Sequence, residues 1–321
     1  MSEQKLSKFL IDANDERYWL YNLTDGGETV HQLTWPEGKY ETNEISDTLY
    51  VKGTEVPYHE HRRGVEVFLI GGGDVEATIR GRRTLVHPGD MLVIQPYVGH
   101  GFVYLADNLL WRECFQEINM SGGIANKCRI KENYGDELYF EPEFRARYLA
   151  QNQGVSREPP VPVDVPQSEV PELRPHDGGL ATFTFGNVVM RQKVGRWETR
   201  GVKEVWQILM PKGVQVEWGD PYGSSEVYLV NKGSIRWKVL DEEFVAGHDC
   251  FVKIPPYAKH SFEVLEDDTE LIDFGCTALM NDMLEDYNSI MHHDPSRLAD
   301  PADLKAFLRK YNCFVTNCAI Q

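Results

Sequence analysis

Three histidines and one glutamate stand at spacings that let them share an ion. His59-Glu60-His61 is followed by Glu66 and, after a Pro96-Tyr97 pair, by His100. In extended chain, residues two apart point to the same side, so His59 and His61 share a face from which Glu60 turns away. Arg62-Arg63-Gly64 reads as a turn that brings the chain back to Glu66. Three neutral imidazoles and one carboxylate around a divalent ion leave a net charge of about +1. Such mixed nitrogen and oxygen donors suit Fe(II), Mn(II), Co(II), Ni(II) or Zn(II), and no sulfur is present to select a softer ion. The expectation is one divalent ion per chain, Fe(II) leading, held by His59, His61, Glu66 and His100.

Four protein donors leave positions open on a five- or six-coordinate ion. Fe(II) so held has room for a chelating substrate and O2, which makes a dioxygenase-like enzyme acting on a small oxygen-rich or aromatic molecule the leading reading. The alternative is non-redox chemistry, an isomerase, lyase or decarboxylase in which the metal acts as a Lewis acid on a carbonyl or enediol. A third reading is a ligand-binding module without turnover. Arg62 and Arg63 fall at the expected mouth of the site, where a guanidinium can clamp a carboxylate. Tyr104 is expected to line the pocket, and Tyr58, Gln95 and Arg112 are further candidates.

The elements that must position these side chains are β-strands, and they occur twice. Gly53, Glu66, Gly73, Pro96, Tyr97, His100 and Phe102 reappear 160 residues later as Gly213, Glu226, Gly233, Pro256, Tyr257, His260 and Phe262. A single offset carrying Glu, Pro-Tyr, His and Phe marks two diverged copies of one unit. Val75 to Arg80 alternates apolar and polar residues, as a half-buried strand does. Gly-Asp and Pro-Gly punctuation (Gly73-Asp74, Pro88-Gly89-Asp90) suits antiparallel strands joined by short turns. The second copy has Gly219 and Pro221 where the first has His59 and His61, and keeps only Glu226 and His260. Metal binding is therefore expected in the first copy alone. Trp218 and Tyr222 are candidate lining residues of an accessory pocket in the second.

The pattern resembles the two signature motifs of the cupin superfamily, H-x-H…E and a later P…H. The second motif here, Pro96 to His100, is one residue shorter than the usual family form. The resemblance implies a mainly β protein: two tandem double-stranded β-helix (jelly-roll, cupin) barrels with short peripheral helices, a bicupin. It also implies that the histidines and Glu66 are the metal ligands.

The expected organisation is an N-terminal cupin with the metal site over 1–150, a linker over 151–180, a degenerate C-terminal cupin over 181–280 and a helical extension over 281–321. Six prolines between Pro159 and Pro175 mark the linker. Glu143 to Ala150 looks helical. Asp300-Pro301 followed by Asp303 resembles a helix start, with Leu304, Phe307, Leu308 and Tyr311 on one face.

Composition narrows the partners. A formal charge of −17 over 321 residues repels phosphate backbones and anionic membranes, so no nucleic acid and no membrane are expected, only a small-molecule substrate. No apolar run approaches a membrane span and no signal-peptide pattern opens the chain, which reads as cytoplasmic. Cys114, Cys128, Cys250, Cys276, Cys313 and Cys318 form no C-x-x-C pair and are expected as free thiols. A homodimer or higher homo-oligomer is expected on general grounds.

Overall fold

Eight strands run through each half of the chain at matching positions. The structure is a computed structural model that describes residues 7–15, 19–24, 28–32, 44–116, 133–135, 138, 141–144, 147, 154–201, 203–219, 225–276, 279–311, 313 and 315–319. The first set is β1 (Glu44–Tyr50), β2 (Glu55–His61), β3 (Val65–Ile70), β4 (Val75–Ile79), β5 (Arg82–Val86), β6 (Met91–Ile94), β7 (His100–Tyr104) and β8 (Leu109–Gln116). The second is β9 (Glu204–Met210), β10 (Gln215–Gly219), β11 (Glu226–Lys232), β12 (Ile235–Val239), β13 (Glu242–Ala246), β14 (Cys250–Ile254), β15 (Lys259–Val264) and β16 (Thr269–Cys276). Every strand of the second set starts within one residue of 160 positions after its counterpart.

The turns repeat as closely as the strands. Tyr97 and Tyr257, both after proline, have φ of 64° and 63°, a left-handed conformation unusual for a side chain of this size. The Lys52 amide donates to Asp107 Oδ1 at 3.1 Å, and the Lys212 amide donates to Asp267 Oδ1 at the same distance. The chain is therefore two copies of one fold unit, as the sequence offset implies.

Each unit is two antiparallel sheets facing across one core. In the first, one sheet has the core order β2-β7-β4-β5 and the other β6-β3-β8-β1. In the second, the corresponding orders are β10-β15-β12-β13 and β14-β11-β16-β9. Alternation does what the sequence predicts on β4 and β12. Val75, Ala77 and Ile79 are buried while Glu76 and Thr78 are half-buried, and Ile235, Trp237 and Val239 are buried between exposed Arg236 and Lys238. Phe68, Leu92, Phe102, Tyr104 and Trp111 centre the first core, and Trp206, Tyr228, Trp237 and Phe262 the second. Burying one such side chain is worth about 1.5–3 kcal/mol.

The segment expected as a linker, 151–180, is built into the first barrel where it is described. Gly154–Ser156 pairs with β2, Val163–Asp164 runs parallel to β5, and Leu173–Arg174 pairs with β6. Its prolines sit between the donors that edge pairing needs. The amides of Val163 and Val165 donate to Gly81 O and Arg83 O at 2.9 Å, and proline is tolerated on such an edge. Extended chain rich in proline thus serves as edge strand as readily as spacer.

The N-terminal strand Leu10–Asp12 pairs with β14 of the second unit, Leu10 opposite Val252. It therefore departs from the expected 1–150 grouping. The C-terminal region has α1 (Met280–His293) and α2 (Pro301–Lys310), then a strand, Val315–Ala319, paired with β10. Asp300 caps α2, its Oδ1 accepting from the Ala302 amide at 2.7 Å, with Pro301 in the first turn. Leu308 and Tyr311 are buried, and Leu304 and Phe307 pack against the same core. No helix among the described residues is long and apolar enough to cross a membrane. Most of Glu143 to Ala150 lies outside the described residues, as do Pro221 and Tyr222. Cys114 and Cys313 are buried and Cys250 half-buried, all as free thiols. Burial pushes the Cys313 thiol up to about 12.

Candidate metal centre

β2 carries His59 and His61 on its inner side. Glu60 between them points out and accepts from Arg157 Nη2 at 2.6 Å. Gly64, at φ 79°, makes the turn that starts β3 and swings Glu66 inward. The Tyr97 amide donates to His61 O at 2.7 Å, which ties the Pro-Tyr turn to β2. His100 then opens β7 directly opposite His59, with a bulge between His100 and Phe102. Gly99 is needed beside it, because a Cβ there would lie 2.5 Å from the Tyr58 hydroxyl.

The ligating atoms of His59, His61 and His100 all lie within 4.8 Å of one another. His59 Nε2 is 3.1 Å from His61 Nε2. Glu66 joins through the other two, Oε1 at 3.0 Å from His61 Nε2 and Oε2 at 3.2 Å from His100 Nε2. His61, Glu66 and His100 are buried, and His59 is partly open. These short separations, 3.0 to 3.2 Å, bring the four donors close enough that one ion could be shared among them.

Tautomers follow from the neighbours. His59 Nδ1 faces Pro57 O at 2.8 Å and His100 Nδ1 faces Val98 O at 2.9 Å. A carbonyl only accepts, so each Nδ1 carries the hydrogen, and in the neutral ring that ligation requires each Nε2 presents its lone pair inward. In their neutral forms and without an ion, His100 Nε2 would turn its lone pair on a carboxylate oxygen and His59 Nε2 would turn its own toward His61. A single proton on His61 Nε2 relieves only part of this. A cation at the centre satisfies all four groups, with the backbone carbonyls orienting the rings from behind. The residues present fit a divalent ion.

Electrostatics agree. Burial, reinforced by the neighbouring His100, pushes the His59 imidazole down to about 3, despite the nearby Glu66 charge. Burial lowers His61 as well, but the charge and hydrogen bond of Glu66 outweigh it and hold His61 above its ordinary value. Burial raises Glu66, and His61 and His100 together outweigh that to keep it well below the usual carboxylate range. His61 is thus the proton's foothold. Metal loading is expected to fall by tenfold or more per pH unit once pH drops below the raised His61 value, starting above about 6.5. Chelator competition between pH 8 and pH 5 measures this, and a flat profile would exclude imidazole ligation.

The other expected site residues divide. Arg62 and Arg63 are exposed on the turn between β2 and β3. Tyr104, expected in the pocket, is fully buried four residues along β7 from His100, its ring stacked on Tyr50 at 3.7 Å between centroids. Arg112, also expected there, alternates outward from Trp111 and is buried against Asp47 at 2.7 and 2.8 Å.

In the second unit, His260 Nδ1 faces Ala258 O at 3.1 Å, repeating the His100 anchor. Glu226 Oε2 accepts from the Tyr228 hydroxyl at 2.8 Å and lies 3.5 Å from His260 Nε2. The tyrosine stands where the first unit has Phe68. Among the described residues, the three-histidine group is the one clustered for an ion.

Comparison with known proteins places the fold. The model of the cupin domain family matches residues 47–108, which contain all four expected ligand residues. The first barrel is a cupin domain, and the chain has the two-barrel fold of a bicupin. The Lactobacillus farciminis oxalate decarboxylase formate complex is similar at 15% identity and TM-score 0.55, over 94% of this chain and 96% of that one. A Bacillus subtilis oxalate decarboxylase variant is similar at 16% identity and TM-score 0.51, over 85% and 78%. Another structure of that enzyme, concerned with its Mn(II) centres, is similar at 15% identity and TM-score 0.51, over 91% and 85%. No curated protein matches the chain.

Proposed function

We propose that this protein is a metal-dependent lyase of the decarboxylase type, acting on a small carboxylic acid, with His59, His61, Glu66 and His100 holding one Mn(II) or similar divalent ion. The observation that carries the reading is the convergence of three imidazole nitrogens and a carboxylate, two of the imidazoles anchored through Nδ1 so that Nε2 points inward. The similar folds belong to oxalate decarboxylases, which supports the non-redox alternative over Fe(II) oxygen chemistry, the reading ranked first from sequence. Manganese is supported in the same way.

When bound, the ion supplies Lewis acidity toward a carboxylate or carbonyl of the substrate. The chain does the rest. Glu66, held ionised by His61 and His100, offsets part of the ion's charge. Arg62 and Arg63 put two exposed positive charges beside the ligand strand, where they draw an anion in against the net charge of the protein.

The test is a balance of gases. Mn(II)-loaded protein is expected to release CO2 from a panel of small keto and dicarboxylic acids without net oxygen uptake, and the His100→Ala variant to lose at least about 1000-fold, the scale of a lost electrostatic catalyst. Stoichiometric oxygen uptake with catechols, hydroxybenzoates or β-diketones on Fe(II) loading would return the protein to the dioxygenase reading.

A further inference from the structure

The interior wall opposite the three histidines carries polar groups that the metal reading does not use. β1 and β2 are joined by the turn at 51–54, so counting equally back from it sets Ser46 across the barrel from His59. β7 and β8 are joined by the turn at 105–108, and the same count sets Glu113 across from His100. The Phe102–Trp111 contact, 4.7 Å between rings, fits this counting one step deeper on the β7–β8 side. Ser46 and Glu113 are direct cross-strand partners, so they stand side by side on that wall.

Ser46 is 1% exposed and its hydroxyl has no hydrogen-bond partner among the described residues. A buried hydroxyl left so costs about 1–3 kcal/mol, so its presence calls for a reason. The second barrel shows what the position becomes otherwise. Its counterpart of Ser46 is Trp206 and its counterpart of Ala77 is Trp237, both fully buried in the core. Indole rings thus fill the centre of the second barrel where the first keeps a serine and an alanine.

We infer that the substrate lies in the first barrel between the histidine cluster and this wall, its far end hydrogen-bonded to Ser46, and that Trp206 and Trp237 close the equivalent space in the second. The inference rests on the metal reading above and adds the substrate's shape. Packed sheets are about 10 Å apart, and imidazoles and ion take much of that span, so the ligand is a short acid of about two to four carbons. The end away from the metal carries a hydroxyl or keto oxygen that serine can serve as donor or acceptor.

Propionate and 3-hydroxypropionate on Mn(II)-loaded protein are the probes, read by Mn(II) electron paramagnetic resonance and water-proton relaxation, with metal content measured alongside. Ser46→Trp, which copies the second barrel, is expected to keep its metal and bind neither acid. Ser46→Ala is expected to keep its metal, bind propionate as the parent does, and bind 3-hydroxypropionate about tenfold more weakly, the loss of one buried hydrogen bond. Unchanged binding in both variants, or metal lost from both, overturns the assignment of Ser46. A loaded parent that binds neither acid overturns the substrate class. A parent that takes up no metal fails earlier and sinks the metal reading itself.

Discussion

Replacing His100 by alanine is expected to weaken metal binding by more than about 100-fold, while replacing His260 leaves it within about twofold. Losing even an outer-shell partner of a metal ligand costs about 10–100-fold, and losing a ligand costs more. His100 is buried, its Nδ1 is tied to Val98 O, and its Nε2 is aimed at the cluster. No neighbouring side chain replaces it, because the facing position across the β7–β4 register is Ile79. His260 has the same backbone anchor, but its partner Glu226 already accepts from Tyr228, and β10 offers Gly219 where β2 offers His59. One equivalent of metal per chain is the expected stoichiometry. Elemental analysis with chelator titration of the parent and both variants decides it. Two equivalents in the parent, or an empty His260→Ala variant, would give the second barrel a metal role that its described residues do not suggest.

Much of this was legible in the sequence because the evidence was periodic. The H-x-H spacing gives two side chains on one face of any strand, and β2 is that strand. The 160-residue offset survives in strand starts, in the Tyr97 and Tyr257 turns and in the paired aspartate contacts of Lys52 and Lys212. What was not legible depends on pairing between distant segments. Nothing local tells that Leu10–Asp12 joins β14, or that the proline-rich stretch lies along β5, since edge strands need backbone groups more than side-chain patterns. The depth of Tyr104 in the barrel and the outward turn of Arg112 were not readable for a related reason. Strand membership was readable, but which side faces inward, and how far along the barrel, depends on register. Ser46 was missed because a serine on a strand carries no signal alone. Its counterpart Trp206 at the same offset was the available clue.

Asp47→Ala is expected to destabilise the first barrel by about 3–5 kcal/mol, whereas replacing Asp47 and Arg112 together by apolar residues costs far less. The side chains of Arg112 and Asp47 are 1% and 3% exposed, and they form a bidentate pair across the β8–β1 register. Such a pair contributes little net stability, because desolvating both ions offsets most of their attraction. Removing one partner is a different matter, for it leaves a guanidinium buried beside a missing carboxylate. Urea unfolding followed by a reporter in the first barrel measures the difference, and Asp47→Leu with Arg112→Met is the matched double variant. If the single and double variants lose equal stability, Arg112 is satisfied without Asp47. The pair also bears on the site. It clamps β1 to β8 at the residue next to Ser46 and the residue before Glu113, so loosening it displaces the wall that faces the histidines. A folded Asp47→Ala protein at low temperature is therefore expected to load metal normally yet bind short acids more weakly, because the four proposed ligands sit on β2, β3 and β7, and the wall is built on β1 and β8.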